Sequence, residues 1–192
     1  MVAAMRPFLL VFLAIGLAAC ASRPPPFMDP ALGGSLNDPS DRPPAHATPP
    51  AREIAFSAYP CFGFCPDFTV WVNALGEVRY DGRHFTALQG VHTLPPNPAL
   101  FQALEALTGS PQLPWPVDDV QPGKGDCSPV ATDLPSYALS ASSAAGVRGF
   151  VFYAGCGGAQ AARARALTDA VLHTLAAHGV PTEGIPPDRG AP

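Results

Sequence analysis

Five cysteines, at positions 20, 61, 65, 127 and 156, carry most of the reactive chemistry that this sequence offers. A thiolate attacks, pairs with a second sulfur or holds a soft metal ion. Three residues separate Cys61 from Cys65 and Pro66 follows, a spacing that closes a local disulfide or presents two sulfurs to Cu(I). A redox pair of this kind should open a helix within a βαβ order. The residues after Pro66, Asp67-Phe68-Thr69-Val70-Trp71-Val72, alternate as a strand instead. A structural disulfide is therefore preferred, with thiol-redox or Cu(I) handling by Cys61 and Cys65 as the alternative. A structural pair is expected to be buried and slow to reduce, a working pair to be accessible.

The other polar candidates are weaker. His84 and His92 fall in strand regions and could converge, but His46, His173 and His178 are scattered, and scattered surface histidines are the commoner outcome. Asp118, Asp119, Asp126 and Asp133 offer oxygens suited to a hard cation, yet their spacing is not that of a calcium-binding EF-hand loop. They read as a solvated acidic loop, with Asp133 in a local turn contact. Trp71, Trp115 and Phe62 could form an exposed aromatic patch, although aromatics of a small domain are more often core. The chain has no Gly-x-Ser-x-Gly elbow, His-Glu-x-x-His or phosphate-binding glycine loop, which weighs against an enzyme. It implies no cofactor and no metal. Only 14% of residues are charged, the net charge is −4, and the basic residues form no cluster, so nucleic acid is not an expected partner.

Cys20 belongs to a different context. Arg6 precedes an apolar run from Phe8 to Leu17, and Ala18-Ala19-Cys20 follows, the layout of a secretory signal. A transmembrane helix needs about 20 apolar residues, more than this run holds. Leu17-Ala18-Ala19-Cys20 resembles the lipobox of bacterial lipoproteins, which implies cleavage after residue 19, lipidation of Cys20 and lasting attachment to a membrane by several acyl chains. The same resemblance favours the outer membrane facing the periplasm, because Ala21 is not the aspartate associated with inner-membrane retention.

Residues 1–19 are thus expected to be a signal peptide. Residues 20–51 hold the lipidated cysteine and a disordered tether, with nine prolines between 21 and 50 and no period. Residues 52–180 are expected to fold, and 181–192 to form a disordered tail. Within the domain, strands are expected at about 53–59 and 67–73, with a return over Glu77–Tyr80 after the Asn73–Gly76 turn. Asp81-Gly82 is read as a further turn, followed by a strand at His84–Leu88 or Val91–Leu94. Asn97 caps and Pro98 opens a short helix that ends before Gly109. Residues 110–135 read as irregular. A second hairpin follows, Tyr137–Ser142 and Val147–Tyr153, then a helix over Ala159–His178. The expected fold class is α+β: an antiparallel sheet, made of a β-meander and a second hairpin, with two helices packed on one face.

With Cys20 taken by lipid, four cysteines remain in an exported domain, an even number that favours disulfides. Of three connectivities we select Cys61–Cys65 with Cys127–Cys156, because Cys127 precedes one strand of the second hairpin and Cys156 follows its partner. Loop-closure entropy assigns about 2 kcal/mol to the short bridge and about 3.5 kcal/mol to the long one.

The segment Pro60-Cys61-Phe62-Gly63-Phe64-Cys65-Pro66-Asp67, with Gly76-Glu77-Val78-Arg79-Tyr80-Asp81-Gly82 and Thr132-Asp133-Leu134-Pro135, resembles a bacterial family of domains of unknown function, number 6438. The resemblance covers about 52–178 and implies domain limits without an activity. Cys127 and Cys156 lie outside its signature and read as an added staple. The Cys-x3-Cys-Pro segment also resembles the copper site of Sco-type thioredoxin-fold proteins, which sustains the Cu(I) alternative. The leading expectation is a non-catalytic envelope lipoprotein, a binding or structural module whose partner is an envelope protein or the cell wall.

Overall fold

The computed structural model describes residues 52–184. The expected signal peptide, Cys20, the tether to residue 51 and the end of the tail, 185–192, lie outside the described residues. The elements are β1 Glu53–Ala58, β2 Asp67–Asn73, β3 Val78–His84, β4 Gly90–Leu94, α1 Pro98–Thr108, β5 Ser136–Ser143, β6 Gly146–Tyr153 and α2 Ala159–Ala177. All six strands form one antiparallel sheet in the order β4-β3-β2-β1-β5-β6.

Alternation along the strands places one apolar face beneath the helices. Ile54, Phe56, Phe68, Val70, Val72, Val78, Tyr80, Leu139, Phe150 and Phe152 are buried there with Leu100 and Leu104 of α1 and Leu167, Val171 and Leu175 of α2. The architecture is the α+β arrangement expected. Among the described residues the core runs from Ile54 to Val180.

One turn differs from the sequence reading. Asp81-Gly82 is not a turn: both residues lie in β3, paired with Val91 and Gly90. Gly82 is required by crowding, since a Cβ there would stand 1.9 Å from the Leu88 carbonyl oxygen. Reversal comes later, through Phe85 at φ 53° and Gly90 at φ 84°, so the fourth strand is Gly90–Leu94 and not His84–Leu88. The Asn73–Gly76 turn forms as expected, with Asn73 Oδ1 accepting from the N–H groups of Leu75 and Glu77. Gly76 adopts φ 81°, and its carbonyl receives the Asn97 N–H at 2.7 Å. That bond seats the start of α1, which Asn97 caps by accepting from Leu100 N–H at 3.0 Å.

The segment 110–135 has few regular elements but is firmly tied. Val120 is fully buried and runs along β6, its N–H bonded to Val151 O and its carbonyl to Tyr153 N–H. Asp119 accepts from Val151 N–H at 2.9 Å. Asp126 reaches across 33 residues to accept from Ala159 N–H at 3.0 Å, capping α2, whose own Gly158 brings no side chain to the task. Residues 181–184, which the sequence reading assigns to the tail, make contacts with the sheet side. Tyr80 donates its hydroxyl proton to Pro181 O at 2.9 Å, and Gly184 bridges Thr86.

Two measurements follow from these ties. Asp126→Ala is expected to lower unfolding free energy by about 1 kcal/mol in urea, the usual cost of a lost helix cap. Burial holds the Tyr80 phenol above its ordinary pKa of 10.0, so the folded chain keeps a proton that the unfolded chain releases. The stability contributed by that proton is complete below pH 10 and is lost as pH rises through the folded value. The urea midpoint should therefore fall in strong alkali. Tyr80→Phe should fall less steeply, though not flat, because burial and then the Asp169 charge raise Tyr137 as well.

Candidate functional site

The β1–β2 connection is the most exposed apolar feature of the domain. Pro60 leaves β1, Pro66 leads into β2, and between them Cys61 is bonded to Cys65 with Cα atoms 5.6 Å apart. The enclosed backbone turns tightly, with Gly63 N–H donating to Cys61 O at 2.9 Å. Phe62 projects with 85% of its surface exposed and Phe64 with 53%. The edge of one ring faces the other where Phe64 meets Phe85, their centroids 5.4 Å apart. The two cysteines themselves are half-buried, so the loop offers aromatic rings more than sulfur.

Beneath the loop, Asp67 gathers two residues that simple alternation would send to opposite faces. The β2–β3 register shifts between Asp67 and Phe68: Asp67 pairs with His84 while Phe68 pairs with Gly82, leaving Arg83 as the extra residue of a bulge. Arg83 thereby donates from Nε to Asp67 Oδ1 at 2.8 Å, and His84 Nδ1 stands 3.1 Å from Asp67 Oδ2. Arg83 also donates to Thr69 Oγ1 and Asp81, and Thr69 shares a hydrogen bond with Ser57 at 2.9 Å. Burial alone lowers the Arg83 pKa, but its hydrogen bond to Asp67 and the charges of Asp67 and Asp81 outweigh that and hold the guanidinium above its ordinary value. The network is a clamp that fixes the end of β2, and so the base of the loop.

The remaining sequence candidates are dispersed. His92 Nε2 contacts Gln89 O and His178 Nδ1 contacts Asn97, so the histidines serve separate partners. Asp119 and Asp126 hold β6 and α2, and Asp133, at φ 68°, takes a bond from the Thr132 hydroxyl. Trp71 is 8% exposed and Trp115 packs edge-on against Phe150, leaving Phe62 alone of the three suggested aromatics at the surface. Among the described residues, no three His, Cys, Asp or Glu side chains gather as a metal-ligand set. A cleft of about 400 Å³ lies between α1 and the β5–β6 turn, but its charges are engaged. Arg52 pairs with Glu105, while Arg148 donates to Thr108 O and stacks 4.3 Å from the Trp115 ring. Cys127 is bonded to Cys156 on the far side of the hairpin, where Ala131 N–H donates to Gly155 O and Ala154 N–H to Pro135 O. These bonds carry the hairpin pairing past Ser136 and Tyr153 to the bridge.

Sequence reasoning missed Asp67 and Arg83. Their types are ordinary for an exposed strand face, and the bulge that joins them has no local signal.

An antiparallel sheet with helices on one side and a disulfide-closed aromatic loop at one end defines an α+β domain. The family Domain of unknown function (DUF6438) matches residues 52–171, and the chain belongs to it. No curated protein matches the chain.

The two bridges should separate in a melting experiment. Replacing Cys127 and Cys156 by serine is expected to cost about 3.5 kcal/mol, and replacing Cys61 and Cys65 about 2 kcal/mol, following the lengths of the loops they close. The aromatic loop should thus be the less costly bridge to open, which calorimetry of the two double variants checks.

Proposed function

We propose that this chain is a non-catalytic envelope lipoprotein: cut before Cys20, acylated there, and carrying a binding domain on a Pro-rich tether. The observation that carries the binding role is the exposure of Phe62 and Phe64 on a backbone already closed by a disulfide. Burying an aromatic side chain against a partner contributes about 2–3 kcal/mol. A loop fixed beforehand loses little further entropy when it docks. The lipidation reading is supported by Leu17-Ala18-Ala19-Cys20 behind an apolar run.

The loop also stands away from the side at which a tether would attach. Arg52 precedes β1 and the loop follows it, and six residues at about 3.4 Å each separate them by on the order of 20 Å.

The test compares the full chain with Cys20→Ser and with Phe62→Ser/Phe64→Ser. Cys20→Ser should leave the membrane fraction. The double serine variant should keep its melting temperature and lose about tenfold or more in binding to isolated cell walls or to envelope proteins, as loss of two buried rings requires. If the variant binds as well as the parent, while Cys61–Cys65 opens in mild reductant and retains Cu(I), the thiol-handling reading replaces this one.

A further inference from the structure

We propose that two copies of this chain join edge to edge through β4, continuing the sheet from one copy into the other. The sheet has two outer strands, β4 and β6, and they are finished differently. Along the second half of β6 the outward backbone groups are closed: Val120 bonds Val151 O and Tyr153 N–H, and the Asp119 carboxylate takes Val151 N–H. Along β4, among the described residues, no backbone group other than those of β3 bonds to Gly90–Leu94.

Proteins blunt such edges with charge, proline or a bulge. β4, Gly90-Val91-His92-Thr93-Leu94, has none of these within it, and Val91 is 63% exposed beside the open edge. Residues 91–94 pair with β3 without a break, so the strand is a regular template for another.

A second copy fits this edge because the strand complements itself. A two-fold axis through His92 would run the strands antiparallel, with Val91 opposite Thr93 of the second copy and His92 opposite its counterpart. Two β-branched pairs then form on the face without helices, the kind of cross-strand contact that favours pairing. In β3, Asp81 sits beside Val91 and Arg79 beside Thr93. Each row crossing the joint therefore runs from an acidic end in one copy to a basic end in the other. Parallel pairing would set acid toward acid and base toward base. The joint is short, so its affinity should be modest, with Kd on the order of tens of micromolar.

The experiment uses residues 51–192, which hold every element of the described core, in sedimentation velocity over a concentration range up to on the order of 500 µM. The parent should pass from monomer to dimer. Val91→Lys/Thr93→Lys and Val91→Glu/Thr93→Glu, at exposed positions, should melt like the parent, and each alone should weaken dimerisation about tenfold or more by setting like charges opposite each other. Mixed together, the two variants should form a heterodimer, because lysines then face glutamates across the two-fold axis. A parent that stays monomeric throughout, a dimer indifferent to both variants, or a mixture that fails to associate would each overturn the proposal.

Discussion

The ladder between β1 and β5 joins two pieces of chain that are each local in sequence. β1 to β4 fold back on one another as a meander, and β5 with β6 forms a hairpin that starts at Ser136, beyond α1 and the segment 110–135. Each piece alone would leave an unpaired edge and an apolar face too narrow to cover. Once Phe56 lies between Val70 and Leu139, the two faces become one floor, with Phe56 about 6 Å from both Phe68 and Tyr137. Both helices need that floor. α1 brings Leu100 and Leu104 to it, and α2 brings Leu167, Val171 and Leu175. The Cys127–Cys156 bridge and Val120 then fasten the hairpin side, where the sheet would otherwise end in water.

Much of this was written locally in the sequence. Ile54, Phe56 and Ala58, then Phe68, Val70 and Val72, have the period of two of a strand with one apolar face, although β2 is buried on its other face as well. Asn97-Pro98 marked the start of α1 because the cap and the fixed φ act within one turn. The features that escaped depend on distant partners. Gly82 looks like a turn residue until the Leu88 carbonyl is brought against it. Asp126 looks like a solvated acid until α2 arrives with an uncapped N-terminus. Val120, one apolar residue in a polar segment, has no periodicity to betray that it closes a strand edge.

The aromatic loop shows the same division. Cys61 and Cys65 were recognisable from spacing, and the structure joins them. The outward direction of Phe62 was not legible, because a phenylalanine between two cysteines can equally turn inward. What directs it is the ground below: the bulge turns Arg83 and His84 together onto Asp67, and Pro66 carries that fixed point into the loop. A local motif thus takes its orientation from a non-local irregularity in β3.

The placement of the loop and of Arg52 at the two ends of β1 also has a mechanical meaning. β1 is an inner strand, paired over its whole length with β2 on one side and β5 on the other. Tension applied between its two ends runs parallel to the strand and at right angles to the hydrogen bonds on both sides. Such a load is carried along the covalent backbone of β1 itself, and the ladders on both sides hold the strand in place while it is carried. The domain is oriented to resist stretching along the same line on which its chain begins and its exposed rings stand.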